Sequence, residues 1–490
     1  MKDRGDKPHQ MLKYTLLPKH SASRYIVAKK KSGSSSNTTQ NIPISAIFKA
    51  YDIRGVYPEE FDEKAAYLIG KAFVSFLQCE KVLVGRDMRI SSPGLSLAFM
   101  EGVTDMGADA LDVGEVCTDA TYFASGDLDI PSVMFTASHN PPHYNGVKFS
   151  KAGAVPVNQD TGIDAMKNII ENGAFKGVSK AKGKIIQKDV LSDYVKHVHT
   201  FIDKKKLKKL RIAVDAGNGM AGKIIPLVFK GLPVEIVPLF FELDGRFPNH
   251  LADPSKTENL LWLEKAVKGK KCDFGMAFDG DADRIFFVDE KGENVRSTLI
   301  TALIAKTMLN KHPKSAIIYN AVTGHAVREA VIKYGGTPLI ERVGHSFIKA
   351  AMRKKNAVFG GEHSAHYYYR DNYFADSGII SALIVCEVLS KEGKSLSSLL
   401  DEFRTYATLE ETNVPAANKE AIIKRIKQAF SKGPEKPKEV LELDGLSMDF
   451  GDWWFNVRPS NTEPYLRLNM EALTEKLLDE KKNAVLSLMK

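Results

Sequence analysis

The chain has 490 residues, 43% hydrophobic and 26% charged, with a formal net charge of +9. That length exceeds a single core and predicts about three to four domains, and no apolar run reaches the roughly 18 residues of a membrane helix. Residues 1–44 hold seven lysines, two arginines and two aspartates; most of the excess charge sits there, which leaves the rest nearly neutral and excludes a broad basic face for nucleic acid.

The segment 1–44, with its run Lys29-Lys30-Lys31-Ser32-Gly33-Ser34-Ser35-Ser36, reads as a disordered, solvated extension. It lacks the compact apolar stretch and small-residue cleavage site of a secretory signal. Beyond it, Lys81–Gly85 reads as a strand. Ser92–Met106 follows as a helix with Pro93 in its first turn, and Asp109–Gly114 as the next strand. This βαβ rhythm predicts a mainly parallel sheet covered by helices. It restarts at Leu210–Asp215, which runs into the turn Ala216-Gly217-Asn218-Gly219, and again near Ser315–Tyr319. Lys204-Lys205-Lys206-Leu207-Lys208-Lys209 is a solvated seam. The expected fold class is α/β: three consecutive mixed or parallel-sheet α/β domains of similar topology, plus a smaller C-terminal α+β domain, around a central cleft. The expected boundaries are 1–44 for the extension, then 45–195, 196–295, 296–408 and 409–490. Cys79, Cys117, Cys272 and Cys386 show no CxxC or metal spacing, so free thiols in a reducing, cytoplasmic setting are expected.

Each unit presents one polar loop just after a strand, where open α/β sheets place their ligand sites. Thr136-Ala137-Ser138-His139-Asn140-Pro141 follows the apolar run Ile130–Phe135 and offers a serine. A serine hydroxyl is a weak nucleophile and needs activation. His139 is not expected to provide it, because adjacent side chains on an extended segment face opposite ways; nor is there a GxSxG elbow. In Asp279-Gly280-Asp281-Ala282-Asp283-Arg284, alternate carboxylates share a face and can converge. Hard oxygens with open positions suit Mg²⁺. A calcium hand is disfavoured by Arg284 at the sixth position, where that loop needs glycine. Arg284 can instead bond phosphate oxygens. In Gly361-Glu362-His363-Ser364-Ala365-His366, Glu362 can accept from two neighbouring sugar hydroxyls and Ser364 can donate or accept. Arg458, Ser460, Asn461 and Thr462 lie between two β-like runs; arginine, hydroxyls and the N–H groups of a turn make an anion cradle.

These four loops, in this order, resemble the α-D-phosphohexomutase superfamily, nearest its phosphomannomutase/phosphoglucomutase branch. The opening Phe48-Lys49-Ala50-Tyr51-Asp52-Ile53-Arg54-Gly55 is typical of that branch. The resemblance spans residues 45–490. It implies that Ser138 carries a phosphoryl group and joins Asp279, Asp281 and Asp283 as a ligand of Mg²⁺. Lys148 and Arg284 would be the catalytic cations. Tyr51, Arg54, His345 and His366 would lie at the substrate, with His345 and His366 either touching it or ordering the loops. Glu362 and Ser364 would hold the 3- and 4-hydroxyls, which mannose and glucose share. Arg458, Ser460, Asn461 and Thr462 would hold the phosphate not being transferred, with Arg467 as an accessory. The implied reaction is reversible phosphoryl transfer between O1 and O6 of a hexose. It runs through hexose 1,6-bisphosphate, which is also the activator and must turn around in the site. The implied partners are small hexose phosphates, with no nucleic acid and no membrane; monomer and dimer both stay open. His363 stands where the phosphoglucosamine branch commonly has glutamine. A phosphoglucosamine mutase, a catalytically silent sugar-phosphate-binding homologue and a magnesium phosphatase are the rival readings.

Overall fold

The computed structural model describes residues 44–460 and 464–489. Strand Lys81–Arg86 runs parallel to both Asp109–Glu115 and Ser132–Phe135. Val82, Leu83 and Val84 are wholly buried, as a strand covered on both faces requires. Ser132–Phe135 then pairs antiparallel with Tyr144–Lys151, and that strand with Ile53–Val56. Val155–Pro156 and Ile185–Gln187 complete a seven-stranded mixed sheet.

The second sheet has five strands. Leu210–Asp215 lies between parallel Val234–Leu239 and Phe274–Phe278. Phe274–Phe278 turns back antiparallel into Ile285–Val288, which is edged by Asn294–Val295. The third sheet repeats the plan. Ala316–Asn320 lies between parallel Thr337–Glu341 and Phe359–Gly361, and the latter turns back into Tyr367–Tyr369 and then Ala375–Asp376.

In all three sheets the first strand of the parallel triplet is central and the other two flank it. The loop after the third strand reverses the chain into an antiparallel neighbour. Those reversals contain Ser138, Asp279–Arg284 and Glu362–His366 respectively. Three chemistry-bearing loops therefore occupy one topological position, at the carboxyl ends of strands. The fourth sheet is antiparallel throughout, in the order Ala407–Pro415, Tyr465–Ala472, Trp453–Pro459, Leu446–Asp449 and Glu439–Leu441. Helices Lys419–Lys432 and Glu475–Met489 contribute Ile426 and Val485 to its core.

Local signals set the helix ends. Helix Glu63–Leu77 starts at Asp62, whose side chain accepts from the Ala65 N–H, and stops at Gln78 in the left-handed region. Helix Ser92–Asp105 carries Pro93 in its first turn. Helix Gly378–Glu392 is buried almost all round, inside the apolar cluster that joins the second and third sheets. The described residues fall in one compact unit. Lys204–Lys206 is an exposed 3₁₀ turn whose backbone is capped by Asp203. Of the extension 1–44, Ile44 opens a 3₁₀ turn to Ile47, and the rest lies outside the described residues. The four cysteines are free, and only Cys79 is not fully buried. Burial pushes its thiol up to about 11. Among the described residues no helix is long and apolar enough to cross a membrane.

Candidate active site

The chain leaves strand Ser132–Phe135 and turns at Ser138, whose φ is 50°. A non-glycine residue there is uncommon and must be held by its surroundings. The Ser138 N–H donates to Thr136 Oγ1 at 2.8 Å. Beneath the loop, the Arg89 guanidinium donates to the carbonyls of Ser138 at 2.9 Å, Asn140 at 2.7 Å, Pro141 at 2.8 Å and Tyr144 at 3.0 Å. Asp87 lies 3.2 Å from Arg89, and both side chains are wholly buried. Arg54 reaches the same loop, donating to Asn140 Oδ1 at 2.7 Å and pairing with Asp52 at 2.5 Å.

The turn corrects the expectation for His139. The backbone at Ser138 is not extended, so the two neighbouring side chains meet: Ser138 Oγ lies 3.2 Å from His139 Nδ1. The Arg284 charge and burial hold His139 well below its ordinary pKa.

The serine loop meets the aspartate loop directly. Ser138 Oγ donates to Asp279 Oδ2 at 2.6 Å. Arg284 donates to Asp279 at 2.9 Å and to Ser138 Oγ at 3.3 Å. Asp279, Asp281 and Asp283 are buried, and each offers an oxygen within 4.8 Å of the others. Lys148, on strand Tyr144–Lys151, donates to Asp281 at 2.7 Å and Asp283 at 2.5 Å. Thr118 donates to Asp281 at 2.5 Å. Burial, reinforced by Asp281 and Asp283, pushes Asp279 up against the pull of Arg284. Asp283 is also buried, yet Lys148 and His366 hold it well below the usual carboxylate range. Asp281 Oδ1 and Asp283 Oδ1 are buried with no hydrogen-bond donor. Bare buried carboxylate oxygens are costly, and a convergent set of them fits a hard divalent cation such as Mg²⁺.

Glu362 is wholly buried at the next reversal. Its Oε1 accepts from Asn320 and from the Gly344 N–H, each at 3.1 Å, and its Oε2 from the Tyr368 hydroxyl at 2.5 Å. Ser364 Oγ lies 3.1 Å from His366 Nδ1. His366 Nε2 lies 3.6 Å from Asp283, so this imidazole bridges the sugar and aspartate loops. Burial opposes its charge, but the nearby Asp283 and the surrounding carboxylates raise it above its ordinary pKa. Tyr51 packs edge-on against His345 and Phe347, at 5.9 and 5.6 Å between ring centres. Burial and Lys349 hold His345 well below its ordinary pKa.

At the fourth loop, Arg458 and Arg467 both donate to Glu411, at 2.8 and 3.0 Å. Ser460 is buried and its carbonyl accepts from Lys419 at 2.6 Å. Asn461 and Thr462 lie outside the described residues. A cleft of about 870 Å³ brings Tyr51, Arg284, Ser364, Arg458 and Ser460 onto one surface. Arg284 both lines this cleft and bonds Ser138, which ties the serine loop to it. Sequence reading missed Arg89, Thr118, Asn320, Tyr368 and Glu411. Arg89, Thr118, Asn320 and Glu411 have partners 49, 163, 42 and 47 positions away, so they carry no spacing signal; Tyr368 lies six from Glu362 and reads as part of an apolar aromatic strand.

The site thus joins a serine hydroxyl bonded to a buried carboxylate, three convergent carboxylates and a pair of arginines. Models of the phosphoglucomutase/phosphomannomutase family match in four pieces: α/β/α domain I at residues 45–177, domain II at 192–292, domain III at 297–406 and the C-terminal domain at 411–488. The phosphomannomutase of Salmonella montevideo is 39% identical over 433 residues, which cover 87% of this chain and 94% of that protein. The phosphohexose mutases of Xanthomonas campestris pv. campestris (strain B100) are 38% identical over 442 residues, covering 90% and 98%. The crystal structure of a phosphoglucomutase/phosphomannomutase family protein from Burkholderia thailandensis superposes with a TM-score of 0.83 at 32% identity, covering 91% of this chain and 97% of that one. With every domain matched and the loops assembled as described, the chain belongs to the phosphoglucomutase/phosphomannomutase family and is a phosphohexomutase.

Proposed function

We propose that the enzyme moves a phosphoryl group reversibly between O1 and O6 of mannose and glucose phosphates, through phospho-Ser138 and a hexose 1,6-bisphosphate. The observation that carries this is the setting of Ser138 Oγ, 2.6 Å from Asp279, 3.2 Å from His139 and 3.3 Å from Arg284. In the first step the free hydroxyl of a hexose 1-phosphate attacks the phosphoryl group on Ser138. The bond to Oγ breaks, a bond to O6 forms, and the O6 proton ends on Oγ, with His139 in reach to relay it. The bisphosphate turns around, and Ser138 Oγ takes the phosphoryl group from O1. In that step the bond to O1 breaks and the Oγ proton ends on O1, with Asp279 and His139 both in reach of Oγ to relay it, while Arg284 stabilises the charge on the transferring oxygens. Asp279, Asp281, Asp283 and phosphorylated Ser138 would hold Mg²⁺, which when bound withdraws charge from the phosphoryl group.

Arg458, Ser460, Asn461 and Thr462 take the phosphate that stays in place. Glu362 and Ser364 take the 3- and 4-hydroxyls. Three of the roughly four acceptor sites of Glu362 are already filled. One hydroxyl fits there without rearrangement, and Ser364 is left for the other. Neither residue reads C2, where mannose and glucose differ. The relatives named phosphomannomutase support mannose, and the family description, phosphoglucomutase/phosphomannomutase, supports glucose beside it. The free cysteines support a reducing, cytoplasmic setting.

The test is a panel of mannose, glucose and glucosamine 1-phosphates with Mg²⁺ and a trace of hexose 1,6-bisphosphate. Comparable conversion of the first two to 6-phosphates is expected. A strong glucosamine preference would move the enzyme to that branch. Release of inorganic phosphate in place of isomerisation would make it a phosphatase.

A further inference from the structure

Glu411 puts a carboxylate on the two arginines to which the fourth loop would bring a phosphate. Its Oε2 accepts from Arg458 at 2.8 Å and from Asn469 at 3.4 Å, and its Oε1 from Arg467 at 3.0 Å. His363 Nε2 lies 3.7 Å from the same carboxylate. All five side chains line the cleft. The pairing of Ala407–Pro415 with Tyr465–Ala472 slips between Leu409 and Thr412. Such an irregularity re-aims side chains, and here it lies at Glu411.

Two guanidinium groups converging on one point repel unless an anion lies between them. Carboxylate and phosphate oxygens satisfy a guanidinium fork in the same way. The Nε atoms of Arg458 and Arg467 are buried and have no hydrogen-bond partner, so the forks have donor capacity that Glu411 does not use. We propose that Glu411 is the resident counter-anion of the phosphate clamp: it holds Arg458 and Arg467 in place while no phosphate is bound, and yields them when a substrate phosphate arrives. This rests on the assignment of the fourth loop as the clamp made under the proposed function.

The arrangement suits a reaction whose intermediate must leave the clamp and return turned around. Two unopposed arginines would hold a dianion tightly in every state, and binding that is equal in ground and transition states does not raise turnover. A competing carboxylate keeps the donors aligned and lowers their hold. Glu411 is then a positioning residue whose competition can be read by sign. His363, whose place the sequence left unexplained, lies between this carboxylate and Asn320, 3.4 Å away, beside the sugar loop.

The experiment is calorimetric titration of inorganic phosphate and of mannose 1-phosphate into wild type, E411Q and E411A at fixed ionic strength, alongside kcat and KM. Competition predicts phosphate binding roughly tenfold tighter in E411Q, a lower KM and a lower kcat. A purely structural role predicts the opposite sign, so weaker or unchanged phosphate binding in E411Q overturns the proposal. E411Q matches glutamate in shape and decides the matter should E411A lose its circular dichroism spectrum. The gain must also vanish in R458A/E411Q; a gain that survives there lies at another site and overturns the proposal as well. Absence of hexose phosphate turnover by wild type would sink the mutase reading, yet the phosphate titration, which needs no sugar, would still decide on Glu411.

Discussion

Arg89 holds the Ser138 loop by its backbone: the guanidinium that donates to the Ser138 carbonyl at 2.9 Å also takes the carbonyls of Asn140, Pro141 and Tyr144. A lysine has no planar fork with which to reach four oxygens. R89K is therefore expected to lower kcat by about a hundredfold or more. R89M should in addition cost about 3 kcal/mol or more, because Asp87 is left buried without its partner. Rate measurements and urea unfolding separate the two effects. R89K turning over at the wild-type rate would remove the positioning role.

S138A is expected to abolish turnover with little change in stability, since it removes one hydroxyl and no packing. Intact-mass measurement on wild type incubated with hexose 1,6-bisphosphate should find one added phosphoryl group, absent in the variant. A phosphorylated S138A protein would place the carrier elsewhere.

Gly280 abuts the serine loop so closely that a methyl group built on it would lie 2.5 Å from the Ser138 carbonyl oxygen. G280A must push the two loops apart. The expected result is a fall in kcat of at least about tenfold with KM little changed, because displacement acts on the reacting geometry more than on sugar binding. Wild-type kcat in G280A would mean that the loops have slack.

D281N removes a carboxylate that faces both Lys148 and the proposed cation position. Activity should then need markedly more Mg²⁺ for half-saturation, and the maximal rate should fall with it. Removing divalent cations from wild type with a chelator should stop turnover, and Mg²⁺ should restore it. A rate indifferent to chelation would exclude the cation from the reaction.

Asp119 gives a pH dependence with a defined sign. Its Oδ2 accepts from Tyr194 at 2.6 Å and from Ser377 at 2.5 Å, joining the first unit to the cap of helix Gly378–Glu392. Burial raises this carboxyl from 3.8 to about 6, against those hydrogen bonds. The native state therefore binds the proton more tightly than the unfolded state does. Stability from this group is fully present below pH 3.8 and is lost as pH rises through about 6. Compared with D119N, which does not titrate, wild type should lose about 2–3 kcal/mol between pH 4 and 6.5. Parallel stability curves for the two proteins would refute this.

The parallel strands were legible because they are short apolar runs bounded by turn residues. Leu210–Asp215 and Phe274–Phe278 begin and end where their composition changes. Strand Phe359–Gly361 ends in a glycine pair. Glycine pairs read as breaks, but Gly361 is required there because Thr301 packs against its backbone, 2.4 Å from where a Cβ would sit. The four loops were legible because their residues are contiguous. His139 was misjudged because an extended backbone was assumed at a residue whose φ is 50°. Arg89 and Thr118 were out of reach for another reason: their partners lie 49 and 163 positions away; the fold of the first sheet brings Arg89 to Ser138, and only the packing of the first unit on the second brings Thr118 to Asp281.

The close approach of Gly280 to Ser138 divides the cleft by temperament. Between the serine and aspartate loops backbone meets backbone, and any relative movement must carry whole strands. Between the sugar loop and the clamp the meeting is made by Glu411 and His363, long side chains that can exchange partners. An inhibitor shaped like the migrating phosphoryl group would find a mould already cast, and would gain from its rigidity. One built around the distal phosphate would first have to evict a carboxylate. Selectivity between related enzymes is better sought at that second grip, where a single side chain sets how firmly the hand closes.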